Sequence, residues 1–496
     1  MKKWIALLLV VAMCSLVLVG CKKDNQTNDD TGTPTDTIDP NRIPPEVKDF
    51  EGYTYIIRTN GWGDYMYAAP LELNGEGIND ETYKRNKQVE SLYNITIRED
   101  RIEDTTDASA HSFLSSQGIT NDYFGDLFAW RARTMIGSLS TQGFFLNIHD
   151  LPELRLQEDW WASEMINVST INGRAYLLTG DIQTSDDLTT GCVFLNRNMF
   201  KDYYPDESIY DVVTKGQWTI DKFFGYWVGF GEDRGVSGKI DSDDIIGIGS
   251  GSSLTEHLIL ASGFHTFKME NNAPTMTLED EKALNIVQRI QDTIYTDNRD
   301  FVEFGETVGG HVDMTYEEVR NHFASGKMLF LTMLISDALL CCLNMEDDVI
   351  YLPFPKYSTE QTNYYTVQQQ YFTALAIAKD VPDPSKTALI TEALAFYSIN
   401  LENEVADVLL QERLTAELEA RELFQITLDA KAFDLDHIGN IFGFESTVTN
   451  LTIANNLGNY SSEMKKLESA AINAKGTGKL QMFLEKYAGL SFRQKK

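Results

Sequence analysis

Cysteine is scarce in this chain, with five residues in 496: Cys14, Cys21, Cys192, Cys341 and Cys342. None stands near other Cys or His residues at the spacing a zinc site uses. So few cysteines exclude a small disulfide-stapled scaffold, and a chain this long can build a core that needs no staples. Basic residues are also in short supply. Lys and Arg number 42 against 74 Asp and Glu, a net charge of -32. That balance excludes nucleic acid as a partner, because phosphate binding needs basic patches. It also works against docking on an anionic bilayer by charge. The common catalytic signatures are missing: there is no G-x-S-x-G, no H-E-x-x-H and no Walker loop. The seven histidines are scattered and suggest no relay. A glycosidase carboxylate pair is defined by separation in space and is not excluded by counting.

What is present begins with residues 1–21. Met1, Lys2 and Lys3 give a positive start, and Ile5 to Val19 is apolar except for Cys14 and Ser15. The run is short for a membrane span, which needs roughly 20 apolar residues, and it fits the apolar region of a secretory signal. Leu18-Val19-Gly20-Cys21 then resembles the lipobox of bacterial lipoproteins. The resemblance implies cleavage before Cys21, lipidation of its thiol, and tethering to the outer face of the cell membrane. A plain signal peptide or an uncleaved anchor helix are the competing readings. Residues 22–49 are rich in Thr, Asp, Asn and Pro with almost no apolar side chains. Such a segment cannot offset its ordering entropy and is expected to be a flexible tether.

From Phe50 onward the composition is globular, with 43% hydrophobic and 11% aromatic residues over the whole chain. Tyr53 to Thr59 reads as a first strand, broken by the turn Asn60-Gly61-Trp62-Gly63-Asp64. Asn79 to Tyr93 has helical spacing, Ile95-Thr96-Ile97 is a second strand, and Tyr123 to Trp130 a third. Ile171-Asn172-Gly173-Arg174 predicts an Asn-Gly turn. Cys192 to Asn196 is a strand, and Thr219 can cap the helix that Trp218 introduces. Thr277 to Tyr295 is amphipathic, Met328 to Thr332 and Val349 to Pro355 are strands, and Thr373 to Ala378 fits a strand. Ser385 to Leu401 reads as helix, as does most of the chain from there to about Tyr487. Strand–helix alternation of this kind implies an α/β architecture with mostly parallel sheets.

Several of these pieces, in this order, resemble the extracellular solute-binding proteins of ABC-type sugar importers. They are Arg58 to Tyr65, INGRAYLLTGD at 171–181, CVFLNRNMFKDY at 192–203, GQWTIDKF at 216–223, FASGKMLFL at 323–331 and IYLPFPKY at 350–357. NDETYKRNKQVESLYNITI at 79–97 and LPELRLQEDWW at 151–161 are similar to a Gram-positive branch. The resemblance implies a type II periplasmic-binding-protein-like fold, with two interleaved α/β lobes around a central cleft. Lobe one would span 50–152 and 325–357, and lobe two 153–324 and 358–496. The chain would cross between them near His149 to Glu153, near 324 and near 357.

Sugar recognition needs aromatic faces for the apolar faces of rings and planar polar side chains for hydroxyls. In α/β sheets such groups lie on loops at the carboxyl ends of strands. The candidates are Trp62, Asp64 and Tyr65 after the first strand, and Trp130 and Arg131 after the third. An ordinary core position is the alternative for each tryptophan. Asp181 and Asp186 are candidates on the polar loop 180–187, with a solvated acidic loop as the alternative. Asp337 is a further candidate. Trp160, Trp161 and Trp218 are expected to pack structurally.

Residues 233–244 have the pattern of a calcium loop, with Asp233, Ser237, Lys239, Asp241 and Asp244 as candidate ligands. Gly235 at the third position and Asp244 in place of a bidentate Glu depart from that pattern. A degenerate loop that turns the chain is the competing reading. No other cofactor is expected.

The chain is therefore read as a monomeric, lipid-anchored receptor that captures a small solute, a sugar or oligosaccharide, and presents it to ABC permease subunits. A surface glycoside hydrolase and a ligand-sensing adaptor for a membrane kinase are the alternatives.

Overall fold

Alternating buried and half-buried residues in Tyr53–Thr59 form strand β1, with Tyr55 and Ile57 turned into the core. The Gly77–Tyr93 helix comes next and stops at Asn94, which takes a left-handed conformation with φ 48°. Its reversal feeds β2 (Ile95–Arg101), parallel to β1. The computed structural model describes residues 42–59, 68–102, 106–120, 123–234, 243–251, 254–294, 301–303, 314–342, 345–411, 418–454 and 456–492. The expected signal segment, Cys21 and most of the tether lie outside the described residues. The Phe50 N–H donates to Tyr93 O at 2.9 Å, which joins the segment before β1 to the end of the Gly77–Tyr93 helix.

The remaining strands are β3 (Leu127–Arg131), β4 (Gly191–Asn196), β5 (Ile246–Ser250), β6 (Phe267–Glu270), β7 (Ala273–Met276), β8 (Phe301–Glu303), β9 (Met328–Leu334), β10 (Val349–Leu352), β11 (Thr366–Val367), β12 (Thr373–Ile377) and β13 (Lys431–Ala432). The first sheet has the order β12-β3-β1-β2 and the second β10-β4-β9-β5-β8. In the first, β1 runs parallel to both neighbours and β12 antiparallel to β3. In the second, β4 is antiparallel to β10 and β9, while β5 is parallel to β9 and β8. β4 is buried along its whole length and β9 along all but its last residue, which is why both read as continuous apolar runs. Each fully buried Leu or Phe there contributes about 1.5–3 kcal/mol. The hairpin β6–β7 and the short pair β11–β13 stand apart from these sheets. The protein thus has the α/β, two-sheet architecture with interleaved chain segments that the resemblance implies.

The strand pairing divides the chain differently from the expected lobe boundaries. β9 and β10, within 325–357, hydrogen bond to β4 and belong to the second sheet. β12, expected in the second lobe, pairs with β3 in the first sheet. The crossings move with them. Residues 149–177 stay with the first sheet, because Ile148 N bonds Ala175 O and Leu178 bridges Leu375 of β12. The chain passes to the second sheet over residues 178–190. It returns alongside over 366–373, where Thr190 bridges Gln368.

Local expectations hold at several points. Asn172 and Gly173 take φ 52° and 70° in the turn closed by the Ile171–Arg174 bridge. The Thr219 hydroxyl caps the Ile220–Trp227 helix by accepting from Lys222 N at 3.4 Å. Trp218 is fully buried and donates its indole N–H to Pro353 O at 2.8 Å. Cys192, Cys341 and Cys342 are buried and free. The helix expected over Ser385 to Leu401 is two helices, Pro384–Phe396 and Ile399–Gln411, broken at Tyr397-Ser398.

Trp160 and Trp161 are structural, as expected. Both indole N–H groups converge on the buried Glu392 carboxylate, at 3.1 and 2.9 Å. Arg155 donates to the same group from Nε at 2.7 Å and from its backbone at 3.2 Å. Its guanidinium also lies 4.7 Å from the centre of the Trp160 ring. This ties the 155–161 segment to the Pro384–Phe396 helix. Removing a buried acceptor of four donors strands all of them. Glu392→Ala is therefore expected to lower stability by about 3 kcal/mol. Urea unfolding measures it, and a loss below about 1 kcal/mol would show that the clasp is dispensable.

Candidate functional site

One face of β1, β3 and β12 lies against a narrow hollow of about 40 Å³. Ile57, Thr59, Leu127 and Ala129 form its floor with Thr373 and Leu375 of β12. Thr82 and Arg85 of the Gly77–Tyr93 helix, and Leu394 of the Pro384–Phe396 helix, close one side. Ile182, Gln183 and Thr184 of the first crossing segment close another. The hollow therefore sits between one face of the first sheet and two covering helices, beside the passage to the second sheet.

Its rim is held by one carboxylate and one amide. Glu99 of β2 accepts from Thr59 Oγ1 at 2.9 Å and from Arg101 Nε at 2.7 Å on Oε1, and from Ala69 N at 3.0 Å on Oε2. Asn86 donates to Ala68 O at 2.9 Å and accepts from Arg85 Nε at 2.7 Å. Both ends of the 60–67 segment, Thr59 and Ala68, thus line or flank the hollow. Gln183 ties the crossing segment to the floor by donating to Thr373 O.

The sequence candidates fall out differently. Trp62, Asp64 and Tyr65 lie outside the described residues, on the segment that leaves from Thr59 and returns at Ala68. Trp130 is fully buried, and its ring stacks on Phe128 with centroids 5.8 Å apart. Strand alternation explains the correction. Leu127 and Ala129 face the hollow, so Phe128 and Trp130 face the opposite layer. Arg131 ends β3 half-buried and is not among the described lining residues. Asp181 is half-buried, one residue before the lining residue Ile182, and its backbone N–H bonds Trp160 O at 3.0 Å.

Asp186 is not on a solvated loop. It is buried in the short Ser185–Leu188 helix, where Lys431 Nζ lies 3.4 Å from it and 2.5 Å from Asp187. Burial pushes its carboxyl up to about 6, the nearby Lys431 opposing and the Asp187 charge adding to the rise. Asp337 is likewise committed within the protein. It accepts from Tyr316 Oη at 2.6 Å and Leu334 N at 3.1 Å, and pairs with Arg320 at 3.3 Å. That arrangement starts the Ile335–Cys341 helix on the second sheet, away from the hollow.

Of the calcium-loop candidates, Ser237, Lys239 and Asp241 lie outside the described residues. Asp233 is half-buried. Asp244 is buried, and its Oδ1 accepts from Arg234 N at 2.9 Å. A two-way backbone bridge between Glu232 and Ile245 closes the loop ends. Asp244 thus serves the turn itself.

Arg85 is a lining residue that motif reading missed, and of the polar loop 180–187 it is Ile182, Gln183 and Thr184 that line the hollow. Arg85 did leave a signal. It falls in helical phase with Thr82, Val89 and Tyr93, all buried, so a charged residue occupies the buried stripe.

No protein-family model matches the chain, and no curated protein matches it. Solved structures do match it, among them maltose-bound MalE3 of T. maritima. That likeness has a TM-score of 0.48 at 12% identity, over 84% of this chain and 100% of that chain.

The Asp186 carboxyl makes a pH prediction. Its value rises on folding from the ordinary 3.8 to about 6, so the folded state holds the proton more tightly. The stability this contributes is present at low pH and lost as pH rises through that interval. Asp186→Asn should therefore flatten the pH dependence of stability between about 4 and 6 relative to the parent. Parallel urea curves across that range check it, and unchanged slopes would contradict the assignment.

Proposed function

We propose that this chain is a lipid-anchored extracytoplasmic solute-binding protein. It captures a small carbohydrate or oligosaccharide and delivers it to an ABC permease. The observation that carries the reading is the hollow against the face of the first sheet, walled in part by the segment that crosses to the second. A ligand seated there touches both the sheet and the crossing, so its contacts depend on how the two sheets are disposed. Binding energy can then favour one disposition over another, which is what a capture-and-present cycle requires.

The wall chemistry supports a sugar. Ile57, Leu127, Ala129, Leu375 and Leu394 offer apolar surface, while Thr59, Thr82, Gln183 and Thr184 supply hydroxyls and an amide. The segment carrying Trp62, Asp64 and Tyr65 starts at this rim, and in this reading it contributes the stacking face and further hydroxyl partners. Asp181 stands next to the lining and joins them. The protein binds its guest without reacting on it, and works as a monomer. Gly20-Cys21 supports acylation of Cys21 after cleavage, which holds the receptor on the outer face of the cell membrane beside its permease.

Two measurements test this. In a thermal-shift screen of oligosaccharides, binding should raise Tm while chromatography returns the sugar intact. Ala68→Trp, at the half-buried rim, and Trp62→Ala should each remove the shift without lowering the ligand-free Tm by more than a few degrees. Steady release of shortened sugar would instead make the protein a hydrolase. Separately, Cys21→Ser should move the chain from the detergent-extracted membrane fraction to the soluble one. A variant that stays in the membrane fraction would rule out acyl anchoring.

A further inference from the structure

The short helix Leu435–Gly439 stands between helices of the two sheets and is held by each in a different way. Toward the second sheet the hold is polar and buried. His437 Nδ1 lies 2.8 Å from Glu256 Oε1 on the Leu254–Ala261 helix, which comes next in the chain after β5, and neither residue is more than 2% exposed. Asp434, at the N-terminal end of the short helix, accepts from Thr266 N at 2.7 Å and from Thr266 Oγ1 at 2.8 Å, just before β6. Breaking a buried ion pair of this kind leaves an uncompensated charge, so the short helix travels with the second sheet.

Toward the first sheet the hold is apolar. The short helix rests on Ala132–Gly137, which continues directly from β3. Gly137 and Gly439 meet backbone to backbone. A Cβ on Gly137 would run into the Gly439 carbonyl oxygen, and a Cβ on Gly439 would meet Ile136 Cγ2 at 2.5 Å. No hydrogen bond joins 132–137 to 435–439 among the described residues. At the edge of the contact Arg133 Nη1 and Glu445 Oε2 lie 3.5 Å apart, and Gln370 of the returning crossing bonds both side chains. That ion pair is partly exposed, and pairs of that kind hold weakly. The glycine seam closes only because both residues lack side chains. The seam itself can part without stranding a buried donor or acceptor.

Building on the solute-receptor reading, we infer that the Gly137–Gly439 seam sets the angle between the two sheets in the solute-holding state, closing on capture and parting on release. The short helix is then a fixed stop on the second sheet, and the Ala132–Gly137 helix seats against it. Glycine at both positions fixes how far the two can approach. Packed contacts have discrete arrangements, so one added methyl group displaces this one.

Double electron–electron resonance on the full chain tests this. Spin labels go on Lys84→Cys, between β1 and β2, and on Lys201→Cys, on the helix after β4, with Cys14→Ser and Cys21→Ser. Both lysines are exposed, and Cys192, Cys341 and Cys342 are buried. The solutes are maltotriose, cellotriose, xylotriose and galactotriose. Gly137→Ala and Gly439→Ala should each change the mean solute-free distance by about 2 Å or more. Each should also weaken binding of any sugar that raises the parent's Tm by at least about tenfold. Gly225→Ala, where an added Cβ meets nothing within 4 Å, should change neither. Ile136→Ala added to Gly439→Ala should return most of the parent's distance, which further loss of stability alone would not do. Glycine variants that fold cooperatively and keep the parent's distances or affinities overturn the inference. If neither variant folds, the solute-free parent decides: two separated distances support a seam that parts, and one narrow distance overturns it. A sugar that raises Tm while moving the parent toward the variants' distance overturns the seam and leaves the receptor reading standing. If no sugar raises Tm, the receptor reading fails, and the solute-free distances still decide the seam.

Discussion

The two crossing segments constrain everything else. Leu178 and Leu375 exchange backbone hydrogen bonds, each 2.8 Å long, so the outgoing chain is registered against β12 before it leaves the first sheet. Twelve residues later Thr190 bridges Gln368, and Gly191 starts β4 in the second sheet. The hydroxyl of Thr190 and the amide of Gln368 repeat that pairing with side chains, at 2.8 Å. Slipping this ladder by one residue would exchange the faces of β4 and β12 together. The position of the hollow depends on the same register, because Ile182, Gln183 and Thr184 reach it only if the crossing begins at Leu178.

Around that frame the protein handles buried charge in two ways. Glu392 gathers four donors, and Glu256 pairs with His437 at 2.8 Å in a fully buried site, where burial pulls the imidazole down but the Glu256 carboxylate outweighs it and raises the imidazole. These are internal matches that fasten distant segments of the chain. Arg85 is the contrasting case, a charge brought to a cavity wall and answered, among the described residues, by neutral groups. In so acidic a chain, an arginine with no carboxylate among its described neighbours reflects where the fold puts it. The Gly77–Tyr93 helix turns Arg85 toward the sheet and away from the acid-rich surface.

Much of the secondary structure was legible because its causes are local. The apolar runs of β4 and β9, the Asn-Gly turn at 172–173 and the Thr219 cap are each set by a few neighbouring residues. Trp160 and Trp161 could be read as structural, but their shared partner could not, since Glu392 is more than 230 residues away in sequence. Trp130 escapes a reading from sequence because a run of apolar residues conceals which of its alternate members face a hollow. Asp186 resembles surface because acidic runs usually are, and only Lys431, brought in by the β11–β13 pairing, makes its burial tolerable.

By itself the sequence determined the α/β class and the acidic, cysteine-poor character of the chain. Those properties depend on composition and on periodicities a few residues long. The tertiary structure decided which strands share a sheet, where the chain crosses, and that Arg85 stands at a cavity wall bonded to backbone carbonyls of distant segments. Each of these depends on contacts between segments about 100 to 300 residues apart, and no local pattern encodes such a distance.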